Sequence, residues 1–136
     1  MRKITLLFAT IAVAIFFYGC EKFSCHEMEE GTYTGTFKVT YASETKTGTT
    51  TVDLKKDSEY AASAGSDNIP AAGSGTYKMR KGKITFSDTM TRIQIADLDP
   101  NLILDGEYEY ELDGKNLKIW ADKNEVGHYE YELKKK

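Results

Sequence analysis

Thiols and imidazoles are scarce in this chain of 136 residues, and most of them stand together. Its 2 cysteines are Cys20 and Cys25, and one of its 2 histidines, His26, follows directly. A thiolate is the strongest nucleophile a protein offers near neutral pH, so Cys20 and Cys25 are the natural positions for covalent chemistry. Cys25-His26 beside Glu27 and Glu29 has the residue types of a metal site. Such a site needs a second pair of soft ligands, which the sequence lacks, so no metal and no cofactor is expected. If Cys20 is modified, Cys25 has no intramolecular partner; otherwise the two could close a small loop in an oxidising compartment. No His-Glu-x-x-His site, Gly-x-Ser-x-Gly elbow, phosphate-binding glycine loop or Cys/His nucleophile pair is present. Glu107, Glu109 and Glu111 alternate along one segment as outward charge, whereas paired catalytic carboxylates must face each other across a cleft. The chain is not expected to be an enzyme.

The surroundings of Cys20 say what its thiol is for. Met1-Arg2-Lys3 is basic, Ile4 to Phe17 is an unbroken apolar stretch, and the polar run YGCEKFSCHEMEE follows. A basic start, an apolar stretch of this length and a small residue before a cut describe a secretory signal; about 20 apolar residues would be needed to span a bilayer comfortably. Phe17-Tyr18-Gly19-Cys20 resembles the lipobox of bacterial lipoproteins. In that family the cysteine is diacylated and becomes the new N-terminus. The resemblance implies residues 1–19 as a lipoprotein signal peptide, Cys20 as the lipidation site and residues 20–30 as a lipidated tether. It also implies a location in the bacterial cell envelope, with the outer membrane as the expected anchor. Each buried methylene of the lipid adds about 0.8 kcal/mol of anchoring. Loss of Arg2 and Lys3 with the signal moves the formal charge from −3 to −5. No basic stripe of the kind nucleic acids need is visible, and no nucleic-acid partner is expected.

From Gly31 to the C-terminus the hydrophobic period is two, the period of a half-buried strand. Tyr33, Gly35, Phe37, Val39 and Tyr41 share one face of the first segment, and Thr32, Thr34, Thr36, Lys38 and Thr40 share the other. The pattern returns at Thr50-Val52-Leu54, Tyr60-Ala62-Ala64, Tyr77-Met79, Ile84-Phe86, Ile93-Ile95, the run Leu102 to Leu112, Leu117-Ile119 and Tyr129-Tyr131-Leu133. All the tyrosines after the signal fall on the apolar phase, and no amphipathic helix is visible. Lys81-Gly82 and Asp113-Gly114 read as two-residue hairpin loops, Lys56-Asp57-Ser58 as a three-residue loop and Asp99-Pro100-Asn101 as a turn. The small-residue stretch 65–75 reads as a long mobile loop. The expectation is an all-β domain over 31–136: an antiparallel up-and-down meander of about 8–9 short strands closing into a small barrel. A β-sandwich is the alternative.

Two near copies of one stretch, GEYEYEL at 106–112 and GHYEYEL at 127–133, belong to a wider set of Gly-x-Tyr units at 31, 75, 106 and 127. Their spacing is irregular, so they are not a fixed repeat. Large and small inward residues alternate to fill a tapering barrel, and glycine permits sharp coiling, so packing explains the units. With Asp113-Gly114 as the loop, Tyr110 should face Leu117 and Lys118 should lie between Glu109 and Glu130. A three-residue loop at Lys123-Asn124-Glu125 would set Ile119 against Tyr129. Trp120 falls on the outward phase between Glu107 and His128, with residues 21–30 as one possible cover.

Gly31-Thr32-Tyr33 opening the first strand, the meander and the hairpin YEYELDGKNLKIW together resemble the small lipocalin-like, calycin-type barrels of envelope lipoproteins, with Tyr33 where lipocalins carry a tryptophan. The resemblance implies a closed barrel holding a small apolar or aromatic ligand. The expected lining is Tyr33, Phe37, Tyr77, Tyr108, Tyr110, Tyr129 and Tyr131. The competing expectation is a structural or protein-interaction lipoprotein with a packed core. Its partner would meet the Trp120 face or the 65–75 loop.

Overall fold

The alternation of inward and outward residues is realised as one closed sheet. In the computed structural model, which describes residues 29–91, 98–123 and 125–136, eight antiparallel strands follow one another around a barrel. They are β1 (Gly31–Thr40), β2 (Thr45–Leu54), β3 (Glu59–Ala62), β4 (Gly73–Arg80), β5 (Lys83–Asp88), β6 (Gly106–Asp113), β7 (Asn116–Lys123) and β8 (Gly127–Lys135). Each strand pairs with its neighbours in sequence, and β8 returns to β1. Closure removes the edges that an open meander would expose. A two-sheet sandwich is thereby excluded in favour of the barrel. The expected strand through Ile93 and Ile95 lies outside the described residues.

Closure is decided at β1. Its inward face carries Tyr33, Phe37 and Val39, all essentially fully buried, and it pairs with β2 on one side and β8 on the other. Between the buried rings stands Gly35, opposite Leu133 of β8. A Cβ at Gly35 would run into the Glu132 carbonyl. The two closing strands therefore approach more tightly than any side chain larger than hydrogen allows, which is the structural demand behind the large-small alternation.

The inward phase makes the core almost residue for residue. Tyr60, Ile84, Phe86, Tyr108, Leu117, Ile119, Tyr129, Tyr131 and Leu133 are buried, and removing each large apolar side chain from water stabilises the fold by about 1.5–3 kcal/mol. Tyr41 and Tyr110 are only partly buried. Ala64 is exposed, because β3 stops at Ala62 and the alternation has no strand to act through beyond it.

Three local expectations shift. The β6–β7 loop is Gly114-Lys115, with Asp113 opposite Asn116. Gly114 takes φ +58 while Asp113 stays in the strand. A turn with positive φ only at its first central residue needs one glycine there, and this glycine meets the need without straining Asp113. The β7–β8 loop likewise starts one residue later, since Lys123 pairs with Gly127. Every pair in the two hairpins thus moves by two positions. Parity survives, but the rows become Tyr110–Ile119–Tyr131 and Leu112–Leu117–Leu133 inside, and Glu111–Lys118–Glu132 outside. The anticipated strand from Leu102 is a 3-10 turn, Pro100–Leu102, and pairing begins only at Gly106. Leu102 and Leu104 are nevertheless buried, as a plug rather than as strand residues.

The 65–75 stretch is also more ordered than its composition suggests. Its last residues, Gly73 to Gly75, belong to β4. Before them, the Gly65 amide donates to the Pro70 carbonyl and the Ala71 amide to the Leu102 carbonyl, at 2.9 and 3.0 Å. The loop between β3 and β4 is therefore stitched to the linker between β5 and β6, and both cover the same barrel end.

Replacing Gly35 by alanine is expected to lower stability by about 2–3 kcal/mol, because the added methyl group has only backbone to push against. Urea unfolding followed by tyrosine and tryptophan fluorescence would check this; an unchanged midpoint would show that the β1–β8 approach can relax.

Candidate functional site

The seven aromatic residues expected to line a pocket come from β1, β4, β6 and β8; the barrel brings Phe37, Tyr108, Tyr129 and Tyr131 into one ring cluster, Tyr77 joins it through Phe86, and Tyr110 is only partly buried at its margin. Phe37 packs on Tyr131 with ring centres 4.7 Å apart, and Tyr108 meets Tyr131 edge to face at 6.2 Å. Phe86, a core residue outside the expected set, joins Tyr60, Tyr77 and Tyr108 into one aromatic stack. Edge-to-face and tilted pairs at these spacings add about 0.5–1.5 kcal/mol each beyond burial. The rings thus support one another across the interior.

The hydroxyl tips divide into two kinds. Four of the eight described tyrosines are engaged by the chain itself. Tyr33 donates to the Glu29 carbonyl at 2.8 Å, where the chain enters the barrel. Tyr60 donates to the Leu104 carbonyl at 2.5 Å. Tyr41 and Tyr129 both donate to Asp99 Oδ2, at 2.7 and 2.5 Å, and the Asn101 amide donates to Asp99 Oδ1 at 2.9 Å. In contrast, the Tyr108 and Tyr131 hydroxyls are buried without a hydrogen-bond partner, the first lying near the Asp105 backbone without a bond of normal geometry. Burial pushes both phenols above their ordinary pKa, so they stay protonated as potential donors.

Asp99 is the fastener of this end. Burial by itself would raise its carboxyl pKa, but the hydrogen bonds from Tyr129, Tyr41 and Asn101 outweigh burial and hold it below the usual range. Tyr41, through burial first and its bond to Asp99 second, is raised to about 12. Beside this clasp Lys123 donates to the Asp105 carbonyl at 3.0 Å and lies 4.4 Å from the centre of the Tyr108 ring. Burial lowers its pKa. The expectation missed Asp99. The Asp-Pro-Asn turn was visible, but its partners Tyr41 and Tyr129 are 58 and 30 positions away.

Outside the barrel, β7 and β8 place a second constellation around Trp120. The residue lies between Glu109 and Glu130, not between Glu107 and His128, because of the register shift described above. Glu130 is on the outward phase yet only 9% exposed. Lys118 and Lys38 approach it at 3.7 and 4.0 Å, and His128 Nε2 lies 3.3 Å from it while His128 Nδ1 lies 2.7 Å from Asp122. Burial opposes its charge, but contacts with Glu132 and His128 and the two lysines keep its pKa below the usual value. Lys118 also reaches over the Trp120 ring, 5.8 Å from its centre. Alternation alone marks Glu130 as solvated charge; the long side chains of neighbouring strands fold over it, which no single-strand pattern reveals. Glu29 and Glu30, the described part of the proposed Trp120 cover, lie elsewhere: Glu29 binds Tyr33 and Lys135. Two open hollows mark the outer wall, one of about 240 Å³ beside Trp120 and Glu109, and one of about 500 Å³ across Thr34, Glu111, Lys118 and Glu132. Cys20, Cys25 and His26 lie outside the described residues.

No protein-family model, curated protein or solved structure matches the chain.

The Asp99 clasp has a pH signature. Its folded pKa is depressed, so its contribution is fully present above the unfolded value of about 3.9 and is lost as pH falls through the folded value. Asp99→Asn should cost about 1–3 kcal/mol at pH 7 and should flatten the loss of stability below about pH 4. Denaturation midpoints of the two proteins across that range check it; parallel curves would remove Asp99 from the closure.

Proposed function

We propose that the chain is a lipid-anchored cell-envelope protein, acylated at Cys20, whose lipocalin-like barrel serves as a protein-interaction module with a packed core. The observation that carries this reading is the use made of the tyrosine tips. Tyr33, Tyr41, Tyr60 and Tyr129 each spend their single O–H donor on the chain's own backbone or on Asp99. Those bonds fasten the entering segment and the 98–105 linker over the two barrel ends. A phenol engaged in this way holds the fold shut and has no donor left to read a ligand. The outer wall is the better working surface. Trp120 is an amphipathic anchor, and the ion pairs around Glu130 hold its surroundings in a set geometry before any partner arrives.

A second reading, a small apolar or aromatic ligand inside the barrel, is favoured by one observation: Tyr108 and Tyr131 keep buried hydroxyls without partners. A ligand with a single polar atom would satisfy them, and it would have to pass the linker that Asp99 pins.

Native mass spectrometry of the protein extracted from its own membranes separates the two. The expected mass is polypeptide plus acyl chains. A stoichiometric small adduct that is lost in Tyr131→Phe would establish the ligand reading instead. A Cys20→Ser chain should leave the membrane fraction and lose incorporated fatty acid; retention of both would refute the anchor. A photo-crosslinker replacing Trp120 should trap one discrete envelope protein, and its absence would count against the interaction face.

A further inference from the structure

The two rims of the barrel differ in charge. Connections β1–β2, β3–β4, β5–β6 and β7–β8 gather at one rim, while the β2–β3, β4–β5 and β6–β7 turns and both ends of the barrel chain gather at the other. At the first rim, the described residues of 41–44, 63–72, 89–91, 98–105 and 123–127 hold five acidic residues and one basic. At the second, residues 29–31, 55–58, 80–83, 113–116 and 134–136 hold nine basic residues and four acidic. The sequence conceals this, because the lysines are scattered along the chain and only the hairpin topology collects them. Lys55, Lys56, Arg80, Lys81 and Lys115 are all exposed.

The basic rim is also the rim at which the chain leaves for its N-terminus. Glu29 is held there by an ion pair to Lys135 Nζ at 2.6 Å and by the Tyr33 hydroxyl. The Lys135 amide in turn donates to the Lys115 carbonyl at 2.8 Å, which joins the C-terminal end to the β6–β7 turn. Glu29 lies nine positions after Cys20, a reach of about 30 Å at most. We infer that the basic rim docks on an anionic lipid surface and so stands the barrel upright on its membrane, acidic rim outward. The membrane-side orientation rests on the anchor at Cys20 proposed above; the charge asymmetry does not. Attraction between lysines and anionic headgroups acts over about one Debye length, about 8–10 Å, and a short tether keeps the rim returning to that layer. The acyl chains hold the protein at the bilayer, and the basic patch sets which rim faces it.

The test is amide hydrogen exchange on the native lipoprotein reconstituted into vesicles of phosphatidylcholine alone or with about 30% phosphatidylglycerol, at low salt. Turns 55–58, 80–83 and 113–116 should exchange roughly threefold or more slowly on the anionic vesicles, with 63–72 and 125–127 unchanged. The protection should vanish in about 0.5 M salt and in a variant carrying Lys55→Gln, Lys56→Gln, Lys81→Gln and Lys115→Gln. Equal exchange on both bilayers, protection at the acidic rim, or a variant that behaves like the parent would each overturn the proposal. Intact mass reads the acyl chains separately. If they are missing, the anchor reading falls, and co-sedimentation with the same two vesicles decides the docking.

Discussion

The pairing of β1 with β8 conditions everything else in this molecule. An eight-strand antiparallel meander that failed to close would expose two unpaired backbone edges and let water reach the inner faces of its strands. Closure requires β1 to be flanked along nearly its whole length, with ten residue pairs to β2 and eight to β8. It also requires a residue without a side chain at Gly35, where β8 comes closest. Once the seam forms, the inward rings have one shared interior to fill. Phe37, Tyr41, Tyr60, Tyr77, Phe86, Tyr108, Tyr129 and Tyr131 then form one connected stack instead of several half-covered faces.

Much of this was legible in the sequence because the period of two is a local signal with a global meaning. A one-residue slip would turn tyrosines to water, so the face of each strand was readable even where its partner was not. Tyr108, Tyr129 and Tyr131 are buried as their phase requires, and Lys81-Gly82 closes its hairpin where the turn residues place it. What escaped was information that does not repeat along the chain. The β6–β7 loop moved by one residue, since its glycine can take either central place, and the β7–β8 loop moved by one residue as well. The closure at Asp99 depends on tyrosines from two distant strands. The burial of Glu130 arises from side chains on three strands lying over a residue that its own strand marks as outward. Leu102 and Leu104 are apolar for the reason expected but serve as a plug, because Pro100 and the Asp99 cap favour a tight turn over extension there.

The candidate site changed character in the same way. Tyrosines aligned on an inward face suggest a pocket when only their phase is known. With partners assigned, four of the eight, Tyr33, Tyr41, Tyr60 and Tyr129, are the means by which the barrel is shut at both ends. The polar tips that make tyrosine attractive as a ligand reader also make it a good latch for backbone carbonyls and for a carboxylate. Trp120, expected as a partner contact, and Glu130, expected as solvated charge, form the more organised polar arrangement.

The position of Glu29 has a mechanical meaning. The chain enters β1 at its end, held by Tyr33 and Lys135, and β1 is the strand with long ladders on both sides. A force transmitted from residues before Glu29 therefore acts along β1 and shears two ladders at once, loading their hydrogen bonds together instead of opening them one after another. Resistance of that kind is set by the rate of unfolding, not by the folding free energy alone. Pulling on the chain ahead of Glu29 would therefore test the closing seam before any other part of the barrel.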